Sequence, residues 1–146
     1  MMKHLLTSAL FLFIGSQAIA AELTPGNLVG KYKVEARAGF QKVYLNFRVT
    51  NTSEFELQRT YANGNVDETC NGTYVLNPTL LWDFQTFSTG KVFKGVFTCP
   101  SNRSRTIDFN IDFENKRTED LVQGTTVSVT SSMARGMRIN AYVKKQ

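Results

Sequence analysis

Past its first twenty residues the chain has no histidine, because the single one, His4, stands near the amino terminus. That absence excludes Ser–His and Cys–His nucleophile pairs and any His-ligated zinc site. Cysteine is almost as scarce, with only Cys70 and Cys99, and Cys-x-x-Cys, Gly-x-Ser-x-Gly and Ser-x-x-Lys are all missing. Glycoside cleavage needs two carboxyls about 5–9.5 Å apart, whereas Asp108 and Asp112, four strand residues apart, stand ~13 Å from each other. Only a carboxylate pair assembled from different strands stays open. Asp108, Asn110, Asp112 and Glu119 have the spacing of a calcium loop, but Phe113 replaces the glycine needed at its sharp turn, and the run alternates as a strand does. The chain is therefore read as non-catalytic, with no metal site and no cofactor.

A bilayer-length apolar run is also lacking. The longest such stretch, residues 5–15, follows Lys3 and His4 and precedes Ala18-Ile19-Ala20, the layout of an export signal with a small-x-small cleavage site. Residues 1–20 read as a signal peptide and 21–146 as a single domain, periplasmic or secreted, with no transmembrane segment once the signal is removed. Without the leader, sixteen basic residues face twelve acidic ones, a surplus of +4 with no basic stripe for nucleic acid. A local cluster of Arg135, Arg138, Lys144 and Lys145 suits an anionic partner such as a lipid headgroup or cell-wall polymer, or simply a basic soluble surface.

What the chain does have is alternation. In "VYLNFRV", Val43, Leu45, Phe47 and Val49 share one face. In "TIDFNIDF", Ile107, Phe109, Ile111 and Phe113 do the same, and in "MRINAYV" so do Met137, Ile139, Ala141 and Val143. This is antiparallel sheet with one buried and one wet face. Nine strands are expected, at about 29–37, 40–50, 54–61, 66–76, 79–87, 91–99, 104–114, 125–132 and 136–143, divided by turn residues. A helical turn is expected near 118–123, with Thr118 as N-cap and Gly124 beyond its end. Short links make neighbours of sequential strands. The fold class is all-β, an up-and-down meander of eight or nine strands closing into a barrel, with a β-sandwich as the alternative.

Turn chemistry sets a provisional register. A two-residue Asn63-Gly64 turn pairs Tyr61 with Val66, Arg59 with Glu68 and Leu57 with Cys70. A Thr89-Gly90 turn pairs Trp82 with Phe97 and sets Phe84 over Gly95; Tyr74 then faces Trp82, and Cys99 faces Leu80. In that register the cysteines stand ~20 Å apart, too far for a disulfide, whose Cα atoms lie within about 7 Å. An oxidising compartment argues the other way and joins Cys70 to Cys99.

Arg59 falls on the inward face with Phe55, Leu57 and Tyr61, and a buried guanidinium needs a partner. Either it binds the carboxylate or phosphate of a ligand, with Tyr61 or Tyr74 as hydroxyl donors, or it pairs with Glu68 across the strands. The inward rings of Phe47, Phe55, Trp82, Phe84, Phe93, Phe97 and Phe109 either line a pocket or fill the core.

The stretch "NLVGKYKVEA", with Gly30 and Tyr32 opening the first long strand of a closed meander, resembles the lipocalin-like (calycin) barrels. In those a Gly-x-Trp opens the barrel and a basic residue near the end packs across the ring; here Tyr32 replaces Trp, and Arg135 or Arg138 is the candidate for the basic residue. The resemblance implies an exported carrier of a lipid or other small hydrophobic ligand. The alternative is a barrel with a filled core that binds a macromolecule through loops 62–65, 100–104 and 114–124, as a hydrolase inhibitor or envelope assembly factor. A continuous interior of ~300 Å³ or more separates the first from the second. An outer-membrane barrel is excluded by Lys, Arg, Asp and Asn at outward positions. Neither reading specifies a protein partner.

Overall fold

The computed structural model describes residues 21–61, 63–78 and 91–146. Eight antiparallel strands close in sequence order into a barrel: β1 (Gly30–Ala38), β2 (Gln41–Val49), β3 (Glu54–Thr60), β4 (Val66–Pro78), β5 (Lys91–Cys99), β6 (Asn102–Asp112), β7 (Thr125–Ser131) and β8 (Arg138–Lys145). Closure by β1–β8 pairing removes the free sheet edges and rules out the sandwich. The expected strand at 79–87, with Trp82 and Phe84, lies outside the described residues. Because β4 pairs directly with β5, Phe97 faces Gly72 rather than Trp82, and Tyr74 faces Gly95.

This direct pairing also brings Cys70 opposite Cys99. The two form a disulfide with Cα atoms 4.3 Å apart, so the register that kept them separate is wrong. The idea of a ring covering a strand glycine holds with a different ring. The Phe109 ring lies over Gly95, where an added Cβ would sit 2.5 Å from it, and Phe55 covers Gly72 in the same way.

One end of the barrel is closed. Residues 21–29 fold across it, led by the single helical turn α1 (Pro25–Leu28), which the Thr24 hydroxyl caps by accepting from the Asn27 backbone N–H. The short helix α2 (Thr118–Gln123) follows β6, with Arg117 rather than Thr118 at its N-cap; the Asp120 carboxylate accepts from the Arg117 backbone N–H at 2.7 Å. Leu23, Leu28, Phe113 and Leu121 are buried there. Above them Phe47, Phe55, Phe93 and Phe109 pack edge-on or tilted, and Tyr74 stacks on Phe93 at 4.4 Å. The other end is a mouth, rimmed by the β1–β2, β3–β4, β5–β6 and β7–β8 connections.

Candidate functional site

The inner wall differs between the two ends. Near the closed end the inward side chains are buried, forming one aromatic cluster. Toward the mouth they are not: Ala36, Val43, Leu45, Leu57, Val129 and Ile139 point inward yet remain half-buried. Ala36, Leu57 and Val129 pack against the aromatic cluster on one side, and part of this apolar surface faces the mouth. A small cavity of about 100 Å³ lies inside the barrel, lined only by apolar groups and Tyr32. A larger depression of about 1090 Å³ lies at the mouth. Leu45 and Val129 line both, so one sits directly above the other.

The mouth is also open on one side. The β1–β8 ladder runs only from Tyr32–Lys145 to Ala36–Ala141, five residue pairs. Beyond it Arg37 and Ala38 pair only with β2, and Arg138, Ile139 and Asn140 only with β7. The strand ends diverge into a slot. The depression passes through it, touching inward Ala36 and Ile139 as well as outward Arg37 and Asn140.

At the closed end, Tyr32 is buried, and its hydroxyl donates to the Leu28 carbonyl at 2.5 Å. Burial raises its pKa well above the ordinary phenol value, and the neighbouring Tyr74 adds to the shift. The cation across the ring is Lys145, 5.7 Å from the ring centroid, with its ammonium donating to the Asn27 carbonyl. Arg135 and Arg138, the expected candidates, are at the opposite end. Gly30, at φ +150°, leaves the space Lys145 occupies, since a Cβ there would lie 2.6 Å from Cε. The four-residue basic cluster is thus divided, with Arg135 and Arg138 at the mouth and Lys144 and Lys145 at the closed end.

Arg59 is not buried. It sits exposed on the rim, at the mouth end of β3, beside a bulge in which β4 carries one extra residue between the Arg59–Glu68 and Thr60–Val66 pairs; the bulge also displaces the expected Tyr61–Val66 pair. The bulge places Asp67 beside Arg59, whose Nε donates to it at 2.7 Å, while the exposed Tyr61 hydroxyl donates to the other carboxylate oxygen at 3.0 Å. The bond to Arg59 holds the Asp67 carboxyl below the usual carboxylate range, with Tyr61 contributing. Glu68 instead accepts from the Ser101 backbone N–H at 3.3 Å and hydroxyl at 3.0 Å, beside the disulfide.

The Tyr74 hydroxyl is directed away from the mouth, donating to the Asn51 carbonyl at 2.9 Å. Of the expected ligand-binding residues, the structure brings together Phe97 and Phe109, with ring centroids 5.7 Å apart, and Tyr74 joins the same cluster through Phe93. Asp108, Asn110 and Asp112 lie along β6 as strand residues, not as a calcium loop. Alternation alone marks Leu45 and Val129 as inward, but it carries no signal that their part of the wall stays uncovered.

Compared with known protein families, curated proteins and solved structures, the chain matches none.

Proposed function

We propose that this is an exported, non-catalytic, lipocalin-like barrel that binds a lipid or other small apolar molecule in its mouth half. The observation that carries this reading is the incompletely buried apolar wall around Leu45 and Val129, at the floor of the mouth depression. Folding ordinarily covers such surface, and each methylene an occupant buries there contributes about 0.8 kcal/mol. The cavity of about 100 Å³ inside the barrel is smaller than the ~300 Å³ of a small-molecule pocket, so in this reading the occupant lies largely in the open depression above it. Lys145 across Tyr32, beside Gly30, supports the lipocalin-like resemblance. The disulfide fits export to an oxidising compartment. In this reading the ligand needs no cofactor and no charged inner residue: no polar or charged side chain is buried among the described residues.

A second reading, a filled barrel that works through its loops, draws on the aromatic packing of the closed half. Titration with the apolar fluorophore N-phenyl-1-naphthylamine separates the two. Val129→Trp fills the floor of the depression without touching the rim. Uptake by the native chain, weakened at least about tenfold in the variant, corresponds to the loss of roughly two buried methylenes. Equal uptake by both, or none by either, sinks the carrier reading and leaves the loops as the working surface.

A further inference from the structure

The charge of the chain is sorted by barrel end. The mouth segments, residues 35–43, 59–68, 97–107 and 131–139, hold seven cations against three carboxylates. The other described residues hold nine cations and eight carboxylates, so the mouth carries nearly all the surplus. Two of its cations are paired, Lys42 with Glu35 and Arg59 with Asp67. Arg37, Arg103, Arg105, Arg135 and Arg138 are exposed and make no ion pair among the described residues.

Large apolar side chains project among these cations. Phe40, at the β1–β2 tip, is as exposed as in an extended chain, at 109%; Met133 and Met137, flanking the β7–β8 connection, are at 61% and 66%. Because β8 pairs with β1, these two connections are neighbours, and they stand on either side of the slot. Gly39, at φ +66°, turns the chain so that Phe40 is held outward. Exposed apolar groups set among unpaired arginines combine the two interactions a peripheral protein makes with a bilayer: insertion into the headgroup region and attraction to anionic lipid.

We propose that the mouth docks on an anionic lipid bilayer, with Phe40, Met133 and Met137 entering the interface and Arg37, Arg135 and Arg138 contacting lipid phosphates. The slot between β1 and β8 then opens onto the membrane and admits an acyl chain sideways. This last step rests on the carrier reading; the docking does not. An opposing protein surface would be met by the same charges, but exposed apolar side chains on either side of the slot, set among arginines, match the combination of interfacial insertion and attraction to anionic lipid that a bilayer offers.

The test is flotation of the purified full chain with phosphatidylglycerol vesicles and with phosphatidylcholine vesicles. Three sets of substitutions at exposed positions accompany it: Arg37→Gln/Arg135→Gln/Arg138→Gln, Phe40→Ser/Met133→Ser/Met137→Ser, and, at the other end, Lys31→Gln/Lys33→Gln/Lys144→Gln. Binding selective for phosphatidylglycerol and weakened by salt is expected. The arginine set should lose roughly a hundredfold in partitioning, the apolar set should lose binding too, and the lysine set should match the native chain. Equal binding to both lipids, no binding, or an equal loss in the lysine set overturns the proposal. So does retention on polyglutamate with an unchanged apolar set, which would mark the mouth as a site for acidic protein. N-phenyl-1-naphthylamine uptake is measured alongside. Uptake without vesicle binding overturns the docking alone, and vesicle binding without uptake leaves docking standing and removes the carrier reading.

Discussion

The residue whose environment matters most at the closed end is Tyr32. It pairs with Lys145 across the seam between the first and last strands, covers the barrel floor with its ring, and ties that floor to α1 through its hydroxyl. Its raised pKa couples stability to pH. The unfolded phenol ionises near pH 10. The buried one keeps its proton to higher pH, so the native state binds more protons above that point, and stability falls as pH rises further. The contribution is fully present below pH ~10. Urea denaturation of Tyr32→Phe should show about 1 kcal/mol lost at pH 7, for the hydrogen bond to Leu28, and a shallower alkaline decline than the native chain. The decline is not abolished, because burial raises the Tyr74 pKa as well. Parallel alkaline profiles in the two proteins would show that Tyr32 is not the group responsible.

Arg59 shows how a residue's part can be mistaken when strand geometry is idealised. Strict alternation puts its side chain inside, but it stands at the mouth end of β3, exposed on the rim, and the extra residue of the β4 bulge, Asp67, is its partner. The sequence signals a hairpin at Asn63-Gly64, but not the bulge beside it.

At the scale of elements, the β5–β6 ribbon is the least supported part of the barrel. Its β7 ladder covers only Phe109–Asp112, so residues 102–108 make no strand pairing on that side. The disulfide compensates from the other side by tying the end of β5 to β4, and Glu68 adds hydrogen bonds to Ser101 in the turn. With the cysteines 29 positions apart in sequence, the crosslink removes unfolded-state entropy equivalent to roughly 3–4 kcal/mol. Cys70→Ser/Cys99→Ser should therefore lose that amount in urea denaturation, and the native chain treated with a reductant should lose the same. A loss below about 1 kcal/mol would mean that the unfolded chain is already constrained between these positions.

Most strand positions were legible, because one-sided burial imposes a period of two and turn residues bound each run. The strand pairing after Pro78 was not. The expected meander assigned a barrel strand to 79–87, and this displaced the partners of β5 on the side where β4 pairs with it, including that of Cys99. The argument that two cysteines in a chain expected to be exported would be joined was the better guide, since a covalent constraint outweighs a register built from turns. The Lys145–Tyr32 contact was half legible: Gly30 and Tyr32 stood out, but which cation closes the seam depends on the β1–β8 register, and no local pattern reveals that.

For the whole molecule, the division of labour follows the barrel axis. Aromatic rings fill the closed half, aliphatic side chains line an open half, and nearly all the excess positive charge surrounds the mouth. Inward and outward faces were readable from the sequence, but the distribution along the axis was not, because it depends on which strand ends gather at which end. Under the proposed carrier reading, the inner wall would hold a ligand by apolar contact, with Arg59 out on the rim rather than in the interior.

The most direct test of that claim is a native mass spectrum of the protein purified without detergent from its own cell envelope, recorded for the native chain and for Arg59→Ala. An extra mass on both that disappears on denaturation is the predicted result. A bare protein mass that persists after incubation with the host's lipid extract would contradict the claim.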